Sequence, residues 1–105
     1  MIEKKRVFDY ISVFANAIQD HIALRESLGF KTVIDSGNLR QFDRYCYNCG
    51  YEKLQLTKEI AESWLASTSG NSSPTQMRRV VVLKHFADYL KNKNYTVTWN
   101  PPPGY

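Results

Sequence analysis

Ser73-Pro74-Thr75-Gln76-Met77-Arg78-Arg79-Val80-Val81-Val82-Leu83-Lys84-His85-Phe86-Ala87-Asp88-Tyr89-Leu90-Lys91-Asn92-Lys93 is the stretch from which the fold is read. Ser73 at an N-cap, Pro74 at the first helical position and Gln76 three residues after the cap make a capping-box start. The proline stands where its missing N–H does no harm. At about 100° per residue, Gln76, Val80, Leu83, Phe86, Ala87 and Leu90 gather on one side of a helix. The spacing therefore predicts an amphipathic helix from Ser73 to about Lys93. Arg78, Val82, His85 and Tyr89 point the opposite way, and Arg79 and Lys84 flank the apolar stripe.

Moving toward the N-terminus, residues 67–72 have the composition of a loop. A short helix precedes them, capped by Thr57, with Glu59 in its first turn and Ile60, Trp64 and Leu65 as its buried stripe. Before it, Val33, Leu39, Phe42, Tyr45 and Cys46 line one side of a second helix that Thr32 opens and Gly50 closes. Gly37 inside that helix costs about 1 kcal/mol relative to alanine, which predicts a kink or a late start. The first helix is read from Phe8 to Leu28, with Ile11, Phe14, Ile18, Ile22 and Leu28 inward and Gly29 at its left-handed cap. In the other direction, 95–99 alternates as a short extended segment does. Pro101-Pro102-Pro103-Gly104-Tyr105 then imposes polyproline-like geometry and predicts a linker.

The whole chain agrees with four helices. Its 105 residues hold one core, and 43% hydrophobic with 23% charged residues is too apolar for disorder. Five glycines and four prolines are too few for a loop-rich β scaffold. No apolar run approaches the roughly 20 residues of a membrane span, and the start, Met1-Ile2-Glu3-Lys4-Lys5-Arg6, has no secretory signal. A cytoplasmic protein with no membrane association is expected. Cys46-Tyr47-Asn48-Cys49 is half of a zinc-ligand set, but the two histidines, His21 and His85, lie far apart in sequence in separate helices. The motif also closes a helix instead of opening one, against a redox role. No metal and no cofactor are expected, and the pair reads as one buried cysteine and one near the surface.

The formal charge of +4 is unevenly placed. From Ser73 to Asn94 there are five basic residues, Arg78, Arg79, Lys84, Lys91 and Lys93, and one acid, Asp88. The rest of the chain has nine of each sign, so the entire excess lies on the fourth helix, as it does when one helix faces a polyanion. An arginine, an imidazole, a phenol and a valine on the outward side suit phosphates, base edges and thymine methyl groups together. The helix N-terminus beside Ser73 and Thr75 offers free N–H groups to a phosphate. Lys4, Lys5 and Arg6, offset by Glu3 and Asp9, read as a solvated basic arm over 1–7.

With these residues in view, the chain resembles the N-terminal core-binding, SAM-like domain of tyrosine recombinases, the phage-integrase family. The resemblance runs from about Phe14 to Leu90. It is carried by Ala23-Leu24-Arg25-Glu26-Ser27-Leu28-Gly29-Phe30, by Leu39-Arg40-Gln41-Phe42-Asp43-Arg44-Tyr45, by Leu56-Thr57 through Trp64-Leu65, and by Arg78-Arg79 through Leu83-Lys84-His85-Phe86 to Tyr89-Leu90. Their order and spacing, followed by a proline-rich segment, are more specific than any one of them.

The resemblance implies a compact four-helix SAM-like orthogonal bundle over 8–94 that clamps one side of double-stranded DNA. Residues 95–105 would be a linker toward an absent catalytic domain, and the start at Met1 implies no further domain upstream. In relatives the second and fourth helices meet the major groove and its phosphates. Matched residue by residue, this gives Lys31, Thr32, Asp35 and Asn38 on the second helix and Ser73, Thr75, Arg78, Val82 and His85 on the fourth, with Arg79 and Lys84 at phosphates. Asp35 departs from the pattern, being an acid where a DNA face prefers a base. Other recombinase subunits in a synaptic complex are implied partners, and the isolated domain is expected to be monomeric. The family's tyrosine nucleophile, with its arginine, lysine and histidine helpers, cannot be assembled here, so no catalytic activity is expected. The alternative is a helical protein-interaction or self-association module, favoured if Tyr89, Tyr95 and Trp99 form an exposed patch.

Overall fold

The structure, a computed structural model, describes residues 10–68, 70 and 73–101. Four helices follow in order: α1 (Ala15–Ser27), α2 (Val33–Cys49), α3 (Lys58–Ser67) and α4 (Ser73–Asn92). Among the described residues no strand forms, only one isolated parallel bridge between Leu56 and Val97. The all-α reading therefore holds. The basic arm over 1–7, the expected start at Phe8, and the end of the proline segment at 102–105 lie outside the described residues.

Three of the four helix ends close in the same way. After α1, Gly29 adopts φ +92°, its N–H reaches the Glu26 carbonyl at 3.0 Å, and the Phe30 N–H reaches that of Arg25 at 3.0 Å. Gly50, at φ +77°, repeats the pattern after α2, with Tyr51 donating to Cys46. Both are Schellman caps, in which a left-handed residue lets two N–H groups satisfy orphan carbonyls. Asn94 takes the same role after α4 at φ +68°, with the Tyr95 N–H on the Leu90 carbonyl at 2.9 Å. At α3 the expected cap is present, the Thr57 hydroxyl accepting from the Ile60 N–H at 3.2 Å.

α4 packs against each of the other three helices. An aromatic cluster fills the junction: Phe42 lies 5.3 Å from Phe14, 5.2 Å from Trp64 and 6.3 Å from Phe86, ring centre to ring centre. Ile18, Leu39, Leu56, Leu83 and Leu90 complete the core without solvent exposure. Such close aromatic pairs add stability beyond the apolar area they remove from water.

The structure corrects several boundaries. α1 starts at Ala15, later than read, because the buried Asp43 carboxylate of α2 engages the backbone of Ile11 and Ser12 and holds that segment off the helix. Ile11 and Leu28, read as inward, are exposed, as is Val33 at the first position of α2. Thr32 precedes α2 as expected but does not cap it through its side chain, since its hydroxyl donates to Glu26 at 2.7 Å. α2 runs unbroken through Gly37. Residues 95–101, read as the start of a linker, dock on the domain. The Leu56 N–H donates to the Thr96 carbonyl, the Thr98 N–H donates to that of Leu56, and Trp99 is 1% exposed within the core.

Candidate nucleic-acid interface

The candidate site is built on α4, and its geometry follows from that helix packing, as α2 also does, against all three others. Contact with three neighbours widens its buried arc. Val80, Leu83, Phe86, Ala87 and Leu90 are buried as read, but so are Arg79, Val82 and Tyr89. At about 100° per residue the buried arc covers about half of the circumference, and its centre is displaced from the stripe read in the sequence. The outward pole moves accordingly.

Val82 is 1% exposed, and Tyr89 packs its ring against His21 at 5.2 Å, so neither is available to a groove. Arg79 is 7% exposed, and its Nη2 donates to Gln41 Oε1 of α2 at 2.5 Å. The Arg79 guanidinium, expected at a phosphate, is instead buried at the α2–α4 seam.

What α4 presents outward is Ser73, Pro74, Thr75, Met77, Arg78, Asp88, Lys91 and Asn92, with Val81, Lys84 and His85 half-buried. Ser73, Thr75, Arg78, Lys84 and His85 therefore remain accessible members of the expected set. Lys91, on the same face, is an addition that a correctly centred arc would have supplied. Gln76 turns away from this face: its amide donates to the Leu65 carbonyl at 2.7 Å, and its Oε1 accepts from the Thr68 hydroxyl at 2.9 Å, tying the start of α4 to the end of α3.

The expected residues of α2 are mostly engaged within the fold. Thr32 is buried and bonded to Glu26, and the Asn38 amide donates to the Ile34 carbonyl of its own helix at 3.1 Å. Asp35, the acid that departed from the pattern, pairs with Arg25 Nε of α1 at 3.1 Å. Lys31 is exposed. The Arg25 guanidinium also lies 4.4 Å above the Phe30 ring, so the α1–α2 corner is held by an ion pair and a cation–π contact together.

The two histidines lie on facing elements and influence each other. Burial is the main reason His21 is held down to about pKa 4, followed by the charges of Arg25 and His85. Its Nε2 is buried with no hydrogen-bond partner among the described residues. His85 is also lowered, by burial first and then by Arg25 and Lys84, against the opposing pull of Asp35 and Asp88. Both imidazoles are neutral at physiological pH, so His85 offers a groove a hydrogen-bonding ring and no charge.

Cys46 is buried and Cys49 exposed, both free thiols, as read. Burial, and the nearby Asp43, push the Cys46 thiol well above its ordinary range, which makes it inert. Among the described residues no group of three or more histidines, cysteines or carboxylates gathers as metal ligands, and no helix is long and apolar enough to cross a membrane. No family model, curated protein or solved structure matches the chain.

Proposed function

We propose that this chain is a non-catalytic DNA-binding domain, of the SAM-like core-binding type that precedes the catalytic domain in tyrosine recombinases. It holds one side of a duplex through the outward face of α4. The observation that carries this reading is the composition of that face: Arg78, Lys84, His85 and Lys91 stand with a single acid, Asp88, in the segment 73–94, α4 and the two residues after it, which bears the chain's whole excess of positive charge. Arg78, Lys84 and Lys91 serve phosphates, while His85 and the first turn at Ser73 and Thr75 lie where base edges or a phosphate can be met.

The test is fluorescence anisotropy of a labelled duplex titrated with the chain at several salt concentrations, beside an Arg78→Ala, Lys84→Ala double variant. Binding should weaken steeply with salt, and the variant should flatten the slope by about two units, because each neutralised phosphate releases condensed counterions. An absence of binding at low salt overturns the reading.

A second reading, self-association, is favoured by one observation. Leu24, Leu28, Phe30, Val33 and Ile34 are all exposed within one corner of the fold. The patch first considered for this role does not exist, since Tyr89 and Trp99 are buried and only Tyr95 is exposed. Concentration-dependent sedimentation without DNA would support the apolar corner as an interface.

A further inference from the structure

His85 lies near the meeting of α1, α2 and α4, since charged groups of all three act on its ring. From α1 these are Arg25 and His21, from α2 Asp35, and along α4 itself Lys84 and Asp88. The ring is half-buried on the outward side of α4, two turns after the exposed Arg78. No hydrogen bond or ion pair with another described residue engages it. The two acids do little to favour a charged ring. Asp35 is paired with the Arg25 Nε at 3.1 Å, and Asp88 is exposed and screened by water. Burial and the cations prevail, and in the free chain His85 is held below its ordinary value of 6.5.

A polyanion on this face reverses that balance. A phosphate brought beside Arg78 and His85 supplies the negative charge that the surroundings of the ring lack, and an opposite charge within about 4–6 Å favours the protonated form. The imidazolium then donates a charge-assisted hydrogen bond that the neutral ring cannot match. His21, the only other histidine, has no such role. It is 3% exposed, its ring packs against Phe86 and Tyr89 at 5.5 and 5.2 Å, and it stays neutral until about pH 4.

We propose that duplex DNA binds to this chain together with one proton, taken from the buffer onto the His85 imidazole, so that mild acid tightens the complex. The proposal rests on the duplex-binding reading above and adds to it a regulation by pH. The coupling is reciprocal: a phosphate that makes the ring easier to protonate is itself held more tightly by the protonated ring. Binding therefore strengthens as pH falls through the value at which the bound ring titrates, and the gain is complete below the value of the free ring. The sign is opposite to that of His21, whose protonation weakens the fold, and the two separate on the pH axis because His21 charges only near pH 4.

The test runs anisotropy titrations of the full chain from about pH 8 to about pH 5.5 at constant ionic strength, beside His85→Gln, which keeps a hydrogen-bonding side chain that takes no proton. Thermal melts at each pH check that both chains are folded. Wild-type affinity is expected to rise about three- to tenfold over that range, because a tenfold gain in the ring's proton affinity is at most a tenfold gain in binding. The affinity of His85→Gln should stay level. Calorimetric titration of the wild-type chain near pH 6, in two buffers of different ionisation heat, counts the protons without relying on the variant and should show net uptake. Salt-sensitive binding with a level pH profile and no uptake overturns the proposal and leaves the α4 reading standing. Uptake that persists in a folded His85→Gln puts the proton elsewhere and overturns it as well. No duplex binding at low salt at any pH removes the α4 reading, and the proton link with it.

Discussion

The Asp43 carboxylate of α2 grips Ser12 twice, its Oδ1 accepting from the Ser12 N–H at 2.9 Å and from the Ser12 hydroxyl at 2.6 Å. Its Oδ2 accepts from the Ile11 N–H at 2.8 Å, and the Ser12 oxygen in turn accepts from the Phe14 N–H at 3.0 Å. One side chain thereby satisfies the backbone just ahead of α1 and fixes where Phe14 enters the core. Asp43→Ala would leave the buried Ser12 N–H and hydroxyl, and the half-buried Ile11 N–H, without their acceptor. We expect a loss of about 3 kcal/mol, read from the urea midpoint. Asp43→Asn should recover only part of it, because its NH2 points a donor at backbone donors.

Acid should destabilise the fold through His21. In the unfolded chain its imidazole takes a proton near pH 6.5, but in the fold, buried between the Phe86 and Tyr89 rings, only near 4. Between those values the unfolded state binds the extra proton, so stability falls as pH is lowered from 6.5 and the loss is complete below about 4. A shift of that size corresponds to about 3 kcal/mol. His85, lowered in the same direction, adds to the trend. Denaturant unfolding at a series of pH values should show this decline, and His21→Leu should flatten it whatever that variant does to stability at pH 7.

The elements and most of the core were legible because they depend on local chemistry. Gly29 and Gly50 marked left-handed caps, Thr57 marked a cap with a free hydroxyl, and the aromatic periodicity marked the inward faces. What was not legible depends on which helix touches which. Val82 and Tyr89 look outward on a helix with one neighbour and are buried on a helix with three. Asp35 looks misplaced on a DNA face until Arg25 is seen to hold it. Trp99 looks like part of a linker because the bridge that returns it to the core joins residues far apart in sequence, Leu56 and Val97.

That return of the chain gives a direct prediction. Trp99→Ala should cost about 3–5 kcal/mol, the range for removing a buried aromatic side chain from a packed core. A chain ended after Asn94 should be at least as unstable, since it also loses the hydrogen bonds between Leu56 and residues 96 and 98. Urea unfolding followed by circular dichroism distinguishes this from the linker expectation, under which both changes would be silent.

Arg79 and Gln41 should respond to mutation in opposite ways. The guanidinium is buried with its Nε and Nη1 lacking hydrogen-bond partners among the described residues, and Nη2 rests on the neutral Gln41 side chain. Burying a charge on one neutral acceptor is poorly compensated, and replacing such a group by an apolar one of similar length is often neutral or stabilising. Arg79→Met should therefore leave the urea midpoint unchanged or raise it. Gln41→Ala, which removes the acceptor and leaves the charge, should lower stability by about 1–3 kcal/mol. The same pair separates the seam from the proposed DNA face: Arg79→Met should alter the salt slope of duplex binding far less than Arg78→Ala, because only Arg78 is exposed. Equal effects on the slope would mean that Arg79 swings out of the seam when DNA is present.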